Sequence, residues 1–531
     1  MLHPLPTLEP TVIRLSSFVQ DQWTEGTGDT AVLVNPSTEE AVAETTTGGI
    51  DMAAALAHAR TIGGPALRAM TFAQRGDLLK QMANALHEHR EELLTIAELN
   101  NGGTRGDAKF DVDGATGTLA SYARIGEKLG DHTMLCDGPV TRLSRARFVA
   151  HHVWMPRPGA AVHINAFNFP AWGTFEKVAV SLLAGMPVVT KPATATAWLA
   201  WRMSQIIIDA NILPQGAYTF ICGSAGDLLD HVGPHDTLAF TGSADTAGFL
   251  RAKAGFTHGS TPVNIEADSL NAAVLGPKAE PGSDLWHIAV RNIVKDMTQK
   301  TGQKCTAVRR IVVPESWTDA LCEAIAEELS RIVVGNTADK SVTMGPVATA
   351  NQLRDVRAGI DRLAAEASIV CGGSQPVAGV GAPEGKGFFV APTLLRATDA
   401  DSAPAVHRDE VFGPCATVIP YNGDAEEAAR IVALGGGSLV SAAYTDDRNW
   451  LGSFLMGAAP WNGRVLACTA KVADETLPPG MVLPNCLHGG PGRAGGGAEL
   501  GGVRGLEFYM QRTAIQGDSG ILAKVLDIPS E

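Results

Sequence analysis

The sequence predicts an α/β protein built on parallel sheets, and three features of its pattern predict it. Short apolar strands alternate with helical segments between 160 and 240, and a second alternating block runs from about 285 to 470. Two extended stretches, 147–156 and 506–515, stand apart from both blocks. A crossover between parallel strands needs a dozen residues or more, and a helix fills that length while covering a face of the sheet. At 531 residues the chain exceeds what one core can hold, so two or three domains are expected.

The elements follow in order. Residues 53–56, 75–87 and 91–99 read as helices, with apolar side chains recurring at three and four. Segment 147–156 turns β-like and ends at Pro158-Gly159. Strands are expected at 160–164, 186–190, 218–222 and 237–240, with helices at 175–184, 198–210 and 228–232 between them. The second block carries strands near 310–313 and 417–420. The tail 506–515 reads as extended and, paired with 147–156, would form an arm outside both sheets. Between 489 and 505, nine of 17 residues are glycine, a composition that predicts a flexible linker.

Composition narrows the function. Hydrophobic residues make up 45% and charged residues 18%, the balance of a well-buried globular enzyme. The net charge of −14 argues against a nucleic-acid or anionic-membrane surface, so an anionic substrate would have to meet local positive groups. The eight cysteines show no C-x-x-C spacing, which argues against structural zinc and disulfides and for a reducing compartment. The first residues lack the basic-then-apolar pattern of a secretory signal, and the apolar run 178–189 is broken by Gly185 and Pro187. Cytoplasm is the expected location.

Several residues carry chemistry. Cys305 follows Thr301-Gly302-Gln303-Lys304, poor core material, so its thiol is a candidate nucleophile whose pKa Lys304 would lower. Glu266 ends an apolar run and is a candidate general base. Asn168, between a strand and a helix, can donate to an oxyanion. Phe240-Thr241-Gly242-Ser243 closes a strand and opens a helix, where Gly242 and Ser243 would meet a pyrophosphate, although the spacing to Gly248 is not G-x-G-x-x-G. No histidine has a cysteine or carboxylate at metal-ligand spacing; His151, His152 and the rest read as structural or surface residues, and no metal site is expected.

Taken together the motifs resemble the aldehyde dehydrogenase superfamily. In family order they are N-F-P at Asn168, Lys191-Pro192, F-T-G-S at 240–243, Glu266, G-Q-K-C ending at Cys305, E-V-F-G-P from Glu410, and E-L-G from Glu499. The resemblance implies an aldehyde dehydrogenase fold with a Rossmann-like cofactor domain (1–146 and 160–283), an α/β catalytic domain (284–488) and a β-arm with tail (147–159 and 489–531) that makes a homodimer. It implies Cys305 as nucleophile, Glu266 as base, and Asn168 with the Cys305 N–H as oxyanion hole. Lys191 would touch the adenine ribose, Ser243 the pyrophosphate and Glu410 the nicotinamide ribose, with Phe167, Thr241, Gly242 and Phe412 beside them; Glu499 would relay protons. Thr194 stands where members preferring NAD commonly carry a glutamate, so NADP is the expected cofactor. Glu266 lies in I-E-A-D-S, a departure from the common L-G-G-K that puts its loop geometry at issue. N-I-E-A-D-S-L-N and the tail H-G-G-P-G-R resemble the subgroup acting on ring-opened aromatic CoA semialdehydes, one branch of which is fused to a hydratase for which 531 residues leave no expected room. The readings set against this are an acylating dehydrogenase that uses free CoA and a cysteine-dependent thioester hydrolase.

Overall fold

The computed structural model describes residues 12–472 and 475–527. The N-terminal stretch read for a secretory signal lies outside the described residues. Two seven-stranded sheets organise the chain. In the first, strands run in the spatial order Val263–Glu266, Thr237–Thr241, Ala161–Ile164, Val188–Lys191 and Tyr218–Phe220, all parallel. The short strands Ser17–Val19 and Gln22–Thr24 then close the edge in antiparallel pairing. Its strands are buried almost throughout, as parallel strands covered on both faces must be. The register sets Thr241 opposite Glu266 and Lys191 opposite Ile164, so these residues share one end of the sheet. In open α/β sheets that end is where ligands bind.

The second sheet runs Ser368–Cys371, Thr393–Arg396, Cys415–Tyr421, Val308–Pro314, Asn271–Leu275, Ser438–Tyr444 and Asn462–Cys468. Only its first strand is antiparallel to its neighbour. The chain changes sheet within residues 267–270, between the edge strand that ends at Glu266 and the inner strand that begins at Asn271. A carboxylate at the end of one sheet thereby sits where the chain passes into the other.

Helices Phe72–Glu88 and Arg90–Asn101 match the apolar spacing. The longest helix, Arg105–Leu129, was not foreseen, because Gly106, Gly114, Gly117 and Gly126 dilute its helical pattern. Two of these glycines, Gly114 and Gly126, serve packing. A Cβ at Gly114 would stand 2.2 Å from the Trp172 ring, and one at Gly126 would stand 2.8 Å from the Gly76 Cα. Thr104 and Asp107 form a capping box that starts the helix despite them.

The arm strands Phe148–Pro156 and Met510–Asp518 pair antiparallel, in a sheet of their own with Leu135–Cys136. Extended structure starts at Met510, because Gly502–Tyr509 is a 3-10 helix. The glycine-rich run is no linker. Gly497 N–H donates to Ile265 O at 3.1 Å, and Ala267 N–H donates to Ala494 O at 3.2 Å. A Cβ at Gly495 or Gly497 would stand 2.2 or 2.4 Å from Ile265 O, so glycine is what lets this segment lie against the strand that bears Glu266. Among the described residues no helix is long and apolar enough to cross a membrane.

Candidate active site

Cys305 is delivered by a turn that few sequences adopt. After the Asp284–Thr298 helix, Lys300, Thr301 and Gly302 take φ values of 53°, 56° and 67°. Left-handed backbone is uncommon for lysine and rarer for β-branched threonine, so surrounding bonds must hold it. Lys300 N–H donates to Asp107 Oδ1 at 2.9 Å, and the Thr301 hydroxyl donates to Gly345 O at 2.9 Å. The buried Arg309 guanidinium donates to the carbonyls of Gly302, Lys304 and Gly413. Asn271 donates to the Cys305 carbonyl at 2.7 Å from the other side.

Lys304 does not assist the thiol. Its ammonium donates to Asp296 Oδ1 at 2.7 Å and Gln299 Oε1 at 2.9 Å, because a buried cation requires a carboxylate and the preceding helix supplies one. Burial instead pushes the Cys305 thiol well above its usual range, and the Glu266 charge adds to that shift.

Glu266, 2% exposed, meets a partner that sequence reasoning missed. His488 Nε2 lies 2.9 Å from Glu266 Oε2 and 3.9 Å from Cys305 Sγ. His488 sits on the Leu487–Gly489 strand, directly opposite Glu499 on Ala498–Leu500. The one signal was its place at the head of H-G-G-P-G-R; nothing local in the sequence joins positions 266, 305 and 488. Burial alone would raise the Glu266 carboxyl, but the His488 imidazolium and Lys177 overcome it and hold the carboxyl below its usual range. Burial would lower His488, but Glu266 reverses this and raises it. The thiol, imidazole and carboxylate donor atoms lie within 4.8 Å of one another, a set a transition metal can use. Two nitrogen or oxygen ligands on one tetrahedral zinc are about 3.3 Å apart, however, so the 2.9 Å contact is that of an ion pair.

Asn168 is fixed beside the Cys305 turn by donating from Nδ2 to Gln303 O at 2.9 Å. Asn168, Glu266, Cys305 and His488 line a small cavity whose apolar wall is Phe110, Phe169, Trp172 and Val482. Asn168, Thr241, Glu266 and Cys305 also line a larger adjoining cleft, so the reactive groups open onto both. Glu499 faces neither of these spaces. It lies behind Glu266, held by Asn264 Nδ2 at 3.0 Å and Lys177 Nζ at 3.1 Å, and Lys177 also meets Glu176 at 3.3 Å. Glu176 lines the smaller cavity, so this charged chain leads from it into the interior.

The larger cleft gathers the remaining predicted residues: Phe167, Lys191, Thr194, Gly242, Ser243, Glu410 and Phe412. Phe167 and Phe412 meet edge to face at 5.8 Å. Ser243 caps the Ala244–Arg251 helix, accepting from Thr246 N–H. The Thr194 hydroxyl donates to Gly223 O at 2.9 Å, so its hydrogen is engaged within the protein and its oxygen is left to accept. Burial lowers the Lys191 ammonium, whose Nζ donates to Pro192 O. Glu410 Oε1 and Thr241 Oγ1 are buried with no hydrogen-bond partner. Burial drives the Glu410 carboxyl well above its usual range, Arg309 opposes this, and Asp268 reinforces it. Orphaned polar oxygens in this cleft fit a ligand bearing hydroxyl groups, as a dinucleotide does. Asp268, past the base in I-E-A-D-S, is ion-paired with Arg493, which ties the departing loop to the glycine-rich run.

The 3,4-dehydroadipyl-CoA semialdehyde dehydrogenase of Aromatoleum evansii is 45% identical over 480 residues, covering 90% of this chain and 93% of that protein. The lactaldehyde dehydrogenase structure from Escherichia coli superposes with a TM-score of 0.82 at 22% identity, covering 96% of this chain and all 100% of that one. An NAD+ complex of an aldehyde dehydrogenase from Bacillus cereus gives a TM-score of 0.81 at 22% identity over 95% and 96% of the two chains. The pattern of the aldehyde dehydrogenase family matches residues 23–515, and the chain belongs to that family.

Proposed function

We propose that this protein oxidises a CoA-linked semialdehyde, 3,4-dehydroadipyl-CoA semialdehyde or a close analogue, to its carboxylic acid with NADP as hydride acceptor. The observation that carries the reading is that Cys305 and Glu266 line two adjoining cavities, one apolar and one with the orphaned acceptors that suit a dinucleotide. A nicotinamide cofactor, when bound, supplies the hydride acceptor. The protein's own groups do the rest. The Cys305 sulfur attacks the aldehyde carbon, and the Asn168 side-chain amide and Cys305 N–H stabilise the oxyanion, each such donor contributing about 3 kcal/mol. After oxidation the acyl group is held as a thioester, and Glu266 takes a proton from the water that hydrolyses it. The Glu176–Lys177–Glu499 chain is suited to moving that proton away.

The substrate class is supported by the relative from Aromatoleum evansii and by the shape of the cavity. Trp172 and Val482 also line a shallower groove with Arg124, Leu483 and Asn485, which gives a long thioester a way out. NADP is supported by Thr194, which removes the repulsion a carboxylate would exert on a 2′-phosphate, and by Lys191 in the same cleft. The arm would pair two copies in a cytoplasmic homodimer.

The test is production of reduced nicotinamide from CoA-linked and free aldehydes, with NADP and NAD in parallel. CoA-linked substrate with NADP should give the larger kcat/KM, and Cys305→Ala should abolish turnover. Glu266→Gln should give one equivalent of reduced cofactor and then stop. Steady turnover by that variant, or a new CoA thioester formed from added free CoA, would overturn hydrolysis by Glu266.

A further inference from the structure

His488 stands 2.9 Å from the base and 3.9 Å from the nucleophile, yet the scheme above gives it no task. It is 5% exposed and lines the apolar cavity. An imidazole there could be inert packing, but a phenyl ring would pack as well and leave no charge to answer Glu266. The burial of Cys305 makes its thiolate costly, and the neighbouring carboxylates increase that cost. Lys304, the adjacent ammonium in sequence, is committed to Asp296. His488 Nε2 stands at ion-pair distance from Glu266 Oε2, and both Glu266 oxygens are buried without a hydrogen-bond partner. The carboxylate is held by charge and keeps its lone pairs free to receive a proton.

We propose that His488 is a positioning residue for both halves of the reaction: as imidazolium it supplies the positive charge that lets Cys305 ionise, and it holds the Glu266 carboxylate in place beside the sulfur, where the water must be activated. When the thiolate forms, the S–H bond breaks and its proton passes to solvent; the imidazolium keeps its own proton on Nε2 and shares it between sulfur and carboxylate. The charged groups facing this imidazole are Glu266 at the strand end, Glu176 and Lys177 on the Trp172–Ala184 helix, and Glu499 on the paired strand. Arg464, on the Asn462–Cys468 strand, also acts on the thiol. The arrangement concentrates negative charge around His488, which favours its charged form, as the upward displacement of its pKa reflects.

The proposal rests on the dehydrogenase reading for its second half only, so the decisive measurement omits substrate and cofactor. Alkylation of Cys305 by iodoacetamide is followed against pH in the wild type, His488→Phe and His488→Gln, with the other cysteines accounted for by peptide mass mapping. Loss of the charge should raise the apparent thiol pKa by at least about one unit in both variants, slowing alkylation at pH 7 about tenfold. With the aldehyde substrate, His488→Phe should show a burst and then slow hydrolysis. His488→Gln, whose amide still reaches the carboxylate, should recover most of the hydrolysis but none of the thiol reactivity. Thermal melts separate a folding failure from a chemical one, and the glutamine variant stands if the phenylalanine variant fails to fold. Alkylation profiles that superimpose on the wild type in a folded variant would overturn the proposal, even with the dehydrogenase activity intact. A shifted profile in an enzyme that oxidises no aldehyde would uphold the charge role and sink the activity instead.

Discussion

The Glu266–His488 pair couples the site to pH, and the sign follows from the two displacements. His488 has its pKa raised in the folded chain, so its contribution to stability is full below the unfolded value near 6.5 and fades as pH rises through the folded value. Glu266 has its pKa lowered, so its contribution is present above the unfolded value near 4.3 and is lost as pH falls through the folded one. The melting-temperature gap between wild type and His488→Phe should therefore be widest at about pH 5–6 and narrow on either side; a gap that grew steadily from pH 6 to pH 9 would contradict the ion pair. Cys305 is legible in the sequence because its motif is poor core material, whereas Glu266 and Asn168 stand out only through the motif order that carries the family resemblance. His488 is not legible, since a lone histidine among glycines states no partner until the chain closes. Lys304 misleads for the related reason that adjacency in sequence does not say which carboxylate a cation will find.

At the scale of elements, glycine is the residue most easily misread. In the Arg105–Leu129 helix it weakens the local pattern while allowing the Trp172–Ala184 helix to lie close enough for the Trp172 ring to fill the gap. Phe110, on the same long helix, and Trp172 then meet edge to face at 5.3 Å and form part of the wall beside Cys305. Gly114→Ala should overpack this contact, costing about 1–3 kcal/mol in chemical denaturation and raising KM more than it lowers kcat. An unchanged KM with full loss of stability would show that the wall does not depend on that approach. Elsewhere the four inner strands of the first sheet lie close to where the apolar alternation puts them, while the helix expected at 228–232 shortens to a 3-10 turn over Leu228–Asp230 and the edge strands were not expected. The glycine-rich run departs from expectation because its backbone hydrogen bonds go to a strand more than 200 positions away in sequence, which composition cannot express.

For the whole molecule, the arm is the part left unfinished. Phe148, Met155, Ile521 and Val525 are exposed on it, the last two at 62% and 72%, and the Met510–Asp518 strand leaves most of its side chains in solvent. Apolar surface on the strand Phe148–Pro156 and on the helix Ser519–Val525 that follows its partner strand calls for a covering partner, and a second copy of the chain is the natural one. Sedimentation should give a dimer or larger assembly, and a double Ile521→Asp, Val525→Asp variant should fall toward the monomer without loss of helical signal. An unaltered assembly state would place the contact elsewhere. The two-sheet plan was readable from alternation, but the change of sheet within 267–270 was not, because only hydrogen-bond partners distinguish a strand that ends one sheet from a strand that enters the next. That crossing has a mechanical outcome. The base is anchored to one slab and the sulfur to the other, so any slippage along their seam changes the gap that a water must bridge, and misplacement by about 1 Å is enough to slow such a step about a hundredfold. A lesion far from the pocket that loosens the seam should leave the enzyme choked with its own acylated form, able to capture but unable to let go.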